Sequence, residues 1–248
     1  MSLPSWLTAV LPDDTAAVWQ QIAPLVPPTC YLVGGTAITV HIQHRESRDL
    51  DFFYHRASVD LDSLEETLAA TGSFARTRRS PGTLNGLVSE TRVQFLHADE
   101  GKPQRLLRQP NSVEGIQIAG MADLMATKLN AIAGRGEHRD YFDVLAIEEK
   151  TGMTVDEGIN YFLARYQPED ADNAVSTIIT ALGYMDDIDE DEKVPLSKDD
   201  VAAYWRRRQP EVLKSVGWLT SGGTPPPLEF GDVTFVGGDS PNGATSPS

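Results

Sequence analysis

The sequence is poor in cysteine, in long apolar runs and in positive charge. Its 248 residues include one cysteine, Cys30, so an internal disulfide and a cysteine-based zinc cluster are excluded. Neither an apolar run of membrane-spanning length nor a secretory signal pattern is found, and we expect a cytoplasmic protein without membrane contact. The formal net charge of -15 argues against indiscriminate nucleic-acid binding, which relies on neutralising phosphates.

Apolar patterning predicts an α/β fold, with a small mixed sheet followed by a helical C-terminal unit. Short apolar runs between turn residues predict strands at 31–33, 49–54, 74–79, 83–89, 92–97 and 115–120. Helical spacing and capping residues predict helices at 13–25, 36–43, 59–72, 121–134, 137–150, 155–166, 171–184 and from 197 onward. The predicted units are a core at 1–118, a helical unit at 119–220 and a disordered Gly/Pro/Ser-rich tail at 221–248.

A glycine turn and a pair of aspartates lie close together in YLVGGTAITVHIQHRESRDLDFFYH, residues 31–55. Asp49 and Asp51 are two apart in a predicted strand, so their carboxylates face the same side. Two neighbouring carboxylates repel each other unless a cation lies between them, and Mg²⁺ prefers oxygen ligands. Gly34 and Gly35 allow close approach of a phosphate to the backbone before a helix N-terminus. The stretch therefore predicts a metal-nucleotide site.

The same residues carry a resemblance to a known superfamily. GGT followed by RESRDLDFF resembles the signature of the DNA-polymerase-beta-type nucleotidyltransferases. Downstream, DLMATKLNAIAGRGEHRDYFDVLAI at 123–147 resembles a motif of the AbiEii nucleotidyltransferase toxins, a group that includes the mycobacterial MenT toxins. The resemblance covers roughly residues 30–150 and implies a sheet of the polymerase-beta type.

The resemblance implies functions for individual residues. Asp49 and Asp51 would hold Mg²⁺, and Lys128 would contact the phosphates of a nucleoside triphosphate. Asp143 would be the downstream catalytic carboxylate, while Ser47 would touch the triphosphate or be a site of regulatory phosphorylation. The other implied nucleotide-binding residues are Gly34, Gly35, Thr36, Arg139 and Asp140.

The helical periodicity bears on some of these residues independently. Lys128 lies in the apolar stripe of its helix, where an unpaired ammonium is costly, so a neighbouring anion is predicted. On the next helix, Arg139 and Asp143 are four apart and have the spacing of an ion pair. We interpret His41 and His44 as structural, because no third metal ligand is apparent near them.

The strand RVQFL at 92–96 departs from the family pattern. It resembles the strand that carries a third carboxylate in many related enzymes, yet Gln94 occupies that place. Glutamine is a neutral ligand, so a one-metal site is predicted unless Asp143 supplies the missing carboxylate.

The leading hypothesis is a toxin of a toxin-antitoxin pair that adds nucleotides from a nucleoside triphosphate to an RNA 3' end, with the tRNA acceptor stem as the expected target. A cognate antitoxin would then be a protein partner. Two alternatives stay open. The chain could transfer a nucleotidyl or a phosphoryl group to a protein or to an aminoglycoside-like small molecule, which suits the acidic balance of the chain. Alternatively, Gln94 could mark a nucleotide-binding module without turnover.

Overall fold

The computed structural model describes residues 3–55, 59–99 and 104–217. The predicted tail at 221–248 lies outside the described residues. In the part of the chain that is described, no helix combines the length and apolarity that crossing a membrane would take.

One mixed sheet forms the centre of the described fold. Its strands are β1 Tyr31–Val33, β2 Leu50–Tyr54, β3 Phe74–Ser80, β4 Thr83–Val88, β5 Thr91–His97, β6 Asn111–Val113 and β7 Ile116–Ile118. They lie in the order β3-β4-β5-β2-β1-β7-β6. Strand β1 is antiparallel to β2 and parallel to β7, while β2 is parallel to β5. The predicted α/β class with a mixed sheet is confirmed.

Helices flank the sheet and make up the C-terminal half of the described chain. Their bounds are α1 Ser5–Thr8, α2 Asp13–Ile22, α3 Gly34–Ile42, α4 Leu61–Ala69, α5 Met121–Gly134, α6 His138–Thr151, α7 Val155–Tyr166, α8 Ala171–Gly183 and α9 Lys198–Ser215. Side-chain caps fix several starts, as where Thr154 and Glu157 form a reciprocal capping box before α7. Sequence patterning predicted neither α1 nor β6, because elements of four and three residues are too short to show a period.

The register of β2 sets the position of the aspartates. Leu50, Phe52 and Tyr54 are buried, whereas Asp51 points to the opposite face, as period-2 alternation predicts. Asp51 pairs in register with Gln94 of β5 and with Val33 at the end of β1. The carboxylate therefore lies directly beside the glutamine on one side and the glycine turn on the other.

The segment between α8 and α9 is anchored to the protein by apolar side chains, while most of its acidic side chains are exposed as predicted. We expected 185–193 to be solvated because of its many acidic residues. However, Met185, Ile188 and Val194 are buried, and the backbone N-H of Asp191 donates to His138 Nδ1 at 3.1 Å. Sparse apolar side chains therefore hold this segment against the protein.

A buried ion pair joins the helices to the sheet. Arg165 of α7 and Asp123 of α5 are fully buried and paired, and Arg165 also donates to the Tyr31 hydroxyl of β1 at 3.2 Å. Asp123 additionally accepts from the backbone N-H groups of Leu107 at 3.0 Å and Arg108 at 3.2 Å. These contacts join residues on both sides of position 118, where we predicted the boundary between the core and the helical unit. That boundary stays a prediction.

Removal of the Asp123 carboxylate should destabilise the fold strongly. We expect Asp123→Ala to lower the free energy of unfolding by about 3–5 kcal/mol, because it leaves the Arg165 guanidinium buried without its partner. Glu65→Ala is the matched control, since Glu65 pairs with the half-exposed Arg76 and should cost less than about 1 kcal/mol. Urea unfolding of both variants measures the difference, and equal losses would contradict this account.

Candidate active site

The glycine turn, Gly34 and Gly35, directly follows β1 and begins α3, and it is shaped by the side chains that lie against it. Gly34 has a φ of +72°, and a Cβ at this position would lie 3.0 Å from Asp51 Oδ2. A Cβ on Gly35 would lie 2.3 Å from Arg45 Nη2 and 3.0 Å from Ser47 Oγ. Side chains at either position would push these groups away, so the two glycines give the turn its close contact with them.

The carboxylate pair lies beside this turn. Asp49 precedes β2, and its Oδ2 accepts from Arg92 Nη2 at 2.5 Å. Asp51 Oδ1 is buried and has no hydrogen-bond partner among the described residues. Burial raises the pKa of Asp51, with Arg92 opposing this effect and Asp49 adding to it. A buried oxygen without a donor, next to a second carboxylate, favours binding of a cation.

A buried network of opposite charges forms the wall behind the turn. Asp143 of α6 is fully buried, and its Oδ2 lies 2.7 Å from Lys128 Nζ of α5. Arg45 donates to Asp143 twice, from Nε to Oδ1 at 2.7 Å and from Nη2 to Oδ2 at 2.9 Å. His44 Nε2 lies 2.7 Å from Asp143 Oδ1, and Lys128 also donates to Asp140 Oδ1 at 2.8 Å. Asp143 thus organises three basic side chains from two parts of the chain.

The pKa directions agree with a network of fixed charges. Burial alone would raise the pKa of Asp143, but Lys128 and Arg45 hold it well below its usual range. Burial opposes the charge of Lys128, yet Asp143 and Asp140 raise the pKa of its ammonium group. The pKa of His44 is lowered by burial, against the effect of Asp143. The carboxylate and the ammonium are therefore ionised at neutral pH.

These groups surround a cleft of ≈ 860 Å³. Its lining differs in charge from the protein as a whole, which is strongly acidic. The acidic lining residues are Glu46, Asp49, Asp51, Asp140 and Asp191. The basic lining residues outnumber them and are Arg45, Arg48, Arg92, Lys128, Arg135, Arg139 and Lys193. A cleft with this balance suits a polyanionic ligand such as a triphosphate.

Most of the residues predicted for the site come together in this cleft. Those that line it are Gly34, Gly35, Ser47, Asp49, Asp51, Lys128, Arg139 and Asp140. Thr36 and Asp143 lie behind it and are buried. The Thr36 hydroxyl contacts Ser47 Oγ at 2.8 Å and the backbone carbonyl oxygen of Asp49 at 2.5 Å. The functional assignments of all these residues stay predictions.

One predicted pair is wrong, and two arginines were missed. Arg139 pairs with Glu137 instead of Asp143, because His44, Arg45 and Lys128 already surround the Asp143 carboxylate. Arg45 lies in a loop without periodicity, 98 residues from its partner, so no sequence pattern predicted it. The position of Arg92 beside Asp49 depends on the register of β5 with β2, which no sequence pattern indicated.

The carboxylate pair fits one magnesium ion. Mg²⁺ takes one or two protein carboxylates and completes its coordination with waters and substrate phosphates. Asp49 and Asp51, with the orphaned Asp51 Oδ1, provide such a ligand set. Within 3–55, 59–99 and 104–217, no group of three or more His, Cys, Asp or Glu residues could hold a metal. Gln94 beside Asp51 accounts for the lack of a third carboxylate on this face.

A comparison with known protein families gives a match to part of the chain. Residues 20–96 match the model of a family described as nucleotidyl transferase AbiEii toxin, type IV toxin-antitoxin system. The matched range includes the glycine turn, the carboxylate pair and β5, but neither Lys128 nor Asp143. The predicted resemblance to the AbiEii group is therefore confirmed for this part of the chain.

Three further proteins are similar to this chain in sequence or in structure. An uncharacterized protein of Aquifex aeolicus, aq_aa25, is 28% identical over 190 residues, which are 75% of this chain and 88% of that protein. The crystal structure of JHP933 from Helicobacter pylori has a TM-score of 0.50 and 15% identity, covering 89% of this chain and 97% of that one. The toxin MenT4 of Mycobacterium tuberculosis has a TM-score of 0.33 and 16% identity, over 85% and 94% of the chains. The likeness to JHP933 concerns the fold alone.

Loss of the Asp143 charge should destabilise the protein in a pH-dependent way. We expect Asp143→Asn to lower the free energy of unfolding by about 3–5 kcal/mol at neutral pH, because Arg45 loses its buried carboxylate. The folded-state pKa of Asp143 is depressed, so its contribution is present above the unfolded value and is lost as the pH falls through the folded one. Unfolding measured at neutral and strongly acidic pH should therefore show the variant and the wild type converging in acid.

The control for this experiment is Asp186→Asn, which changes an exposed carboxylate and should cost less than about 0.5 kcal/mol. A constant difference between Asp143→Asn and wild type across the whole pH range would contradict the ionised state assigned to Asp143.

Proposed function

We propose that this chain, whose residues 20–96 match the AbiEii nucleotidyltransferase toxin family, transfers a nucleotide from a nucleoside triphosphate to the 3' end of an RNA, with the tRNA acceptor stem as the first target to test. The observation that carries the proposal is a carboxylate pair at the floor of a basic cleft in an acidic protein. The carboxylates suit a metal bound to a triphosphate, and the surrounding cations suit two polyanionic substrates.

The proposed reaction forms one bond and breaks one bond at the α-phosphate. The RNA 3'-oxygen bonds to the α-phosphorus, while the bond from that phosphorus to the oxygen bridging to the β-phosphate breaks. Pyrophosphate leaves with that oxygen, and the proton of the 3'-hydroxyl passes to solvent. Little covalent chemistry falls to the protein, so positioning and charge neutralisation supply most of the rate enhancement.

The chain's own residues would bind the triphosphate from two sides. Backbone N-H groups at the start of α3, following Gly34 and Gly35, would donate to phosphate oxygens at the positive end of the helix. Asp49 and Asp51 would hold Mg²⁺, which supplies charge neutralisation and orientation of the triphosphate when bound. Ser47, held by Thr36, lies between these groups and would contact the same phosphates.

We assign Asp143 a positioning function instead of direct contact with substrate. Its carboxylate is fully buried, and its oxygens are engaged by Lys128, Arg45 and His44. Lys128 and Arg45 line the cleft, so Asp143 would fix two cations at the wall facing the triphosphate. It would therefore act on the reaction through those side chains.

A second candidate acceptor is a cationic molecule, either an aminoglycoside-like compound or a protein. Glu46 and Asp191 are the acidic lining residues outside the sites assigned to metal and to Lys128, and the whole chain carries a net charge of -15. Separate RNA, protein and aminoglycoside acceptors in one labelling assay distinguish these cases. Magnesium-dependent nucleotide binding without pyrophosphate release under any acceptor would instead indicate a module that binds without turnover. The toxin family also makes a cognate antitoxin an expected partner.

Loss of the Asp49 carboxylate should abolish transfer without unfolding the protein. We expect Asp49→Ala to reduce labelling of RNA from α-labelled triphosphates by about 100-fold or more, because metal-dependent charge stabilisation is lost. Chelation of divalent ions should have the same effect on the wild type. The measurement is incubation with RNA and each of the four triphosphates, followed by electrophoresis.

Glu66→Ala is the control, because Glu66 is exposed on α4 and lies outside the residues that line the cleft. It should label RNA like the wild type. Undiminished labelling by Asp49→Ala would refute the metal site proposed here.

A further inference from the structure

Strand β5 places Arg92 beside the carboxylate pair. Strands β2 and β5 are parallel, with Leu50 opposite Val93 and Asp51 opposite Gln94. Asp49 and Arg92 are the residues directly before the paired Leu50 and Val93, and they therefore lie next to each other. Arg92 and Gln94 are two apart on β5, so both side chains face the cleft and line it.

Arg92 differs from the other cations of the cleft in its contacts. Lys128 and Arg45 are directed into the wall, where they bind the buried Asp143. Arg135 and Arg139 both pair with Glu137, although the charge of Arg139 also acts on Asp51. Arg92 bonds to Asp49 itself while 43% of its side chain stays exposed. Among the described residues, it is the basic side chain that contacts a predicted metal ligand from the open side of the cleft.

The guanidinium has donors left for a second anion. Arginine carries five N-H donors in a planar fork, and the described contacts of Arg92 with acidic groups use Nη2 toward Asp49. The fork matches the oxygens of a phosphate. The remaining donors belong to a side chain that lines the same cleft as Asp49 and Asp51, where a phosphate oxygen would accept from them.

The charge balance around Asp49 and Asp51 explains why a cation at position 92 matters. Two carboxylates balance one divalent ion, and Gln94 adds no charge on the same face. We propose that Arg92 is a further catalytic residue of the transfer: its guanidinium bridges Asp49 and the α-phosphate, and supplies beside a single metal ion the second positive charge of the site. This inference rests on the proposed nucleotidyl transfer.

If the proposal holds, loss of Arg92 should strengthen metal binding and slow turnover. Without Arg92, Asp49 is no longer paired, so we expect Arg92→Ala to bind Mn²⁺ alone up to about fivefold more tightly, the equivalent of a partly exposed ion pair. The kcat of the same variant should fall by about 100-fold or more, because the transition state loses a preorganised donor to its developing charge. Arg92→Lys keeps the charge without the fork and should recover part of kcat. Calorimetric titration with Mn²⁺ and steady-state labelling measure the two effects.

Arg78→Ala is the matched control, because Arg78 is exposed on β3 and does not line the cleft. It should change neither quantity. Tighter Mn²⁺ binding with unchanged kcat would show that Arg92 is only a counter-ion of Asp49 and would overturn the proposal. Loss of both Mn²⁺ binding and turnover would overturn it as well, because Arg92 would then merely hold Asp49 in place. If the wild type binds Mn²⁺ but labels no acceptor, the proposed transfer itself fails, and the catalytic function of Arg92 fails with it.

Discussion

The buried Asp143 carboxylate is the interaction on which the arrangement of the cleft depends. An ionised group without contact to water is tolerated only when partners surround it, and Lys128, Arg45 and His44 do so. These partners come from α5 and from the loop between α3 and β2. The network therefore ties the helical half to the loop that leads into the carboxylate pair. The Arg45 guanidinium in turn occupies the space that a side chain at position 35 would need.

This network also explains how an acidic protein presents a cleft for polyanions. Much of the net charge of -15 lies on surfaces outside the cleft, as on the exposed Asp186 and Glu190 and on the carboxylates that pair with Arg76 and Arg79 on β3. Inside the cleft, basic residues outnumber acidic ones. Asp51, with its unpartnered oxygen, lies in the middle of these cations. The global charge of the chain is thus a poor guide to the ligand of this site.

Sequence patterning predicted the elements that have a clear period and the side chains that share a strand or a helix. The common face of Asp49 and Asp51 followed from the period of a strand, and the need of Lys128 for an anion followed from its apolar stripe. Periodicity could not predict contacts between segments that are far apart in the sequence. The pairing of Arg45 with Asp143 links residues 98 apart, and a local i,i+4 pattern wrongly suggested Arg139. The anchoring of 185–193 by a few apolar side chains was hidden by the surrounding acidic residues.

The central claim is that this cleft transfers a nucleotide to the 3' end of an RNA. Its most direct test is the intact mass of a defined tRNA after incubation with the protein, Mg²⁺ and the four nucleoside triphosphates. The account predicts an increase equal to one or more nucleoside monophosphates, located at the 3' terminus by nuclease mapping. An unchanged tRNA mass, together with a nucleotide found on a protein or an aminoglycoside in the same mixture, would contradict it.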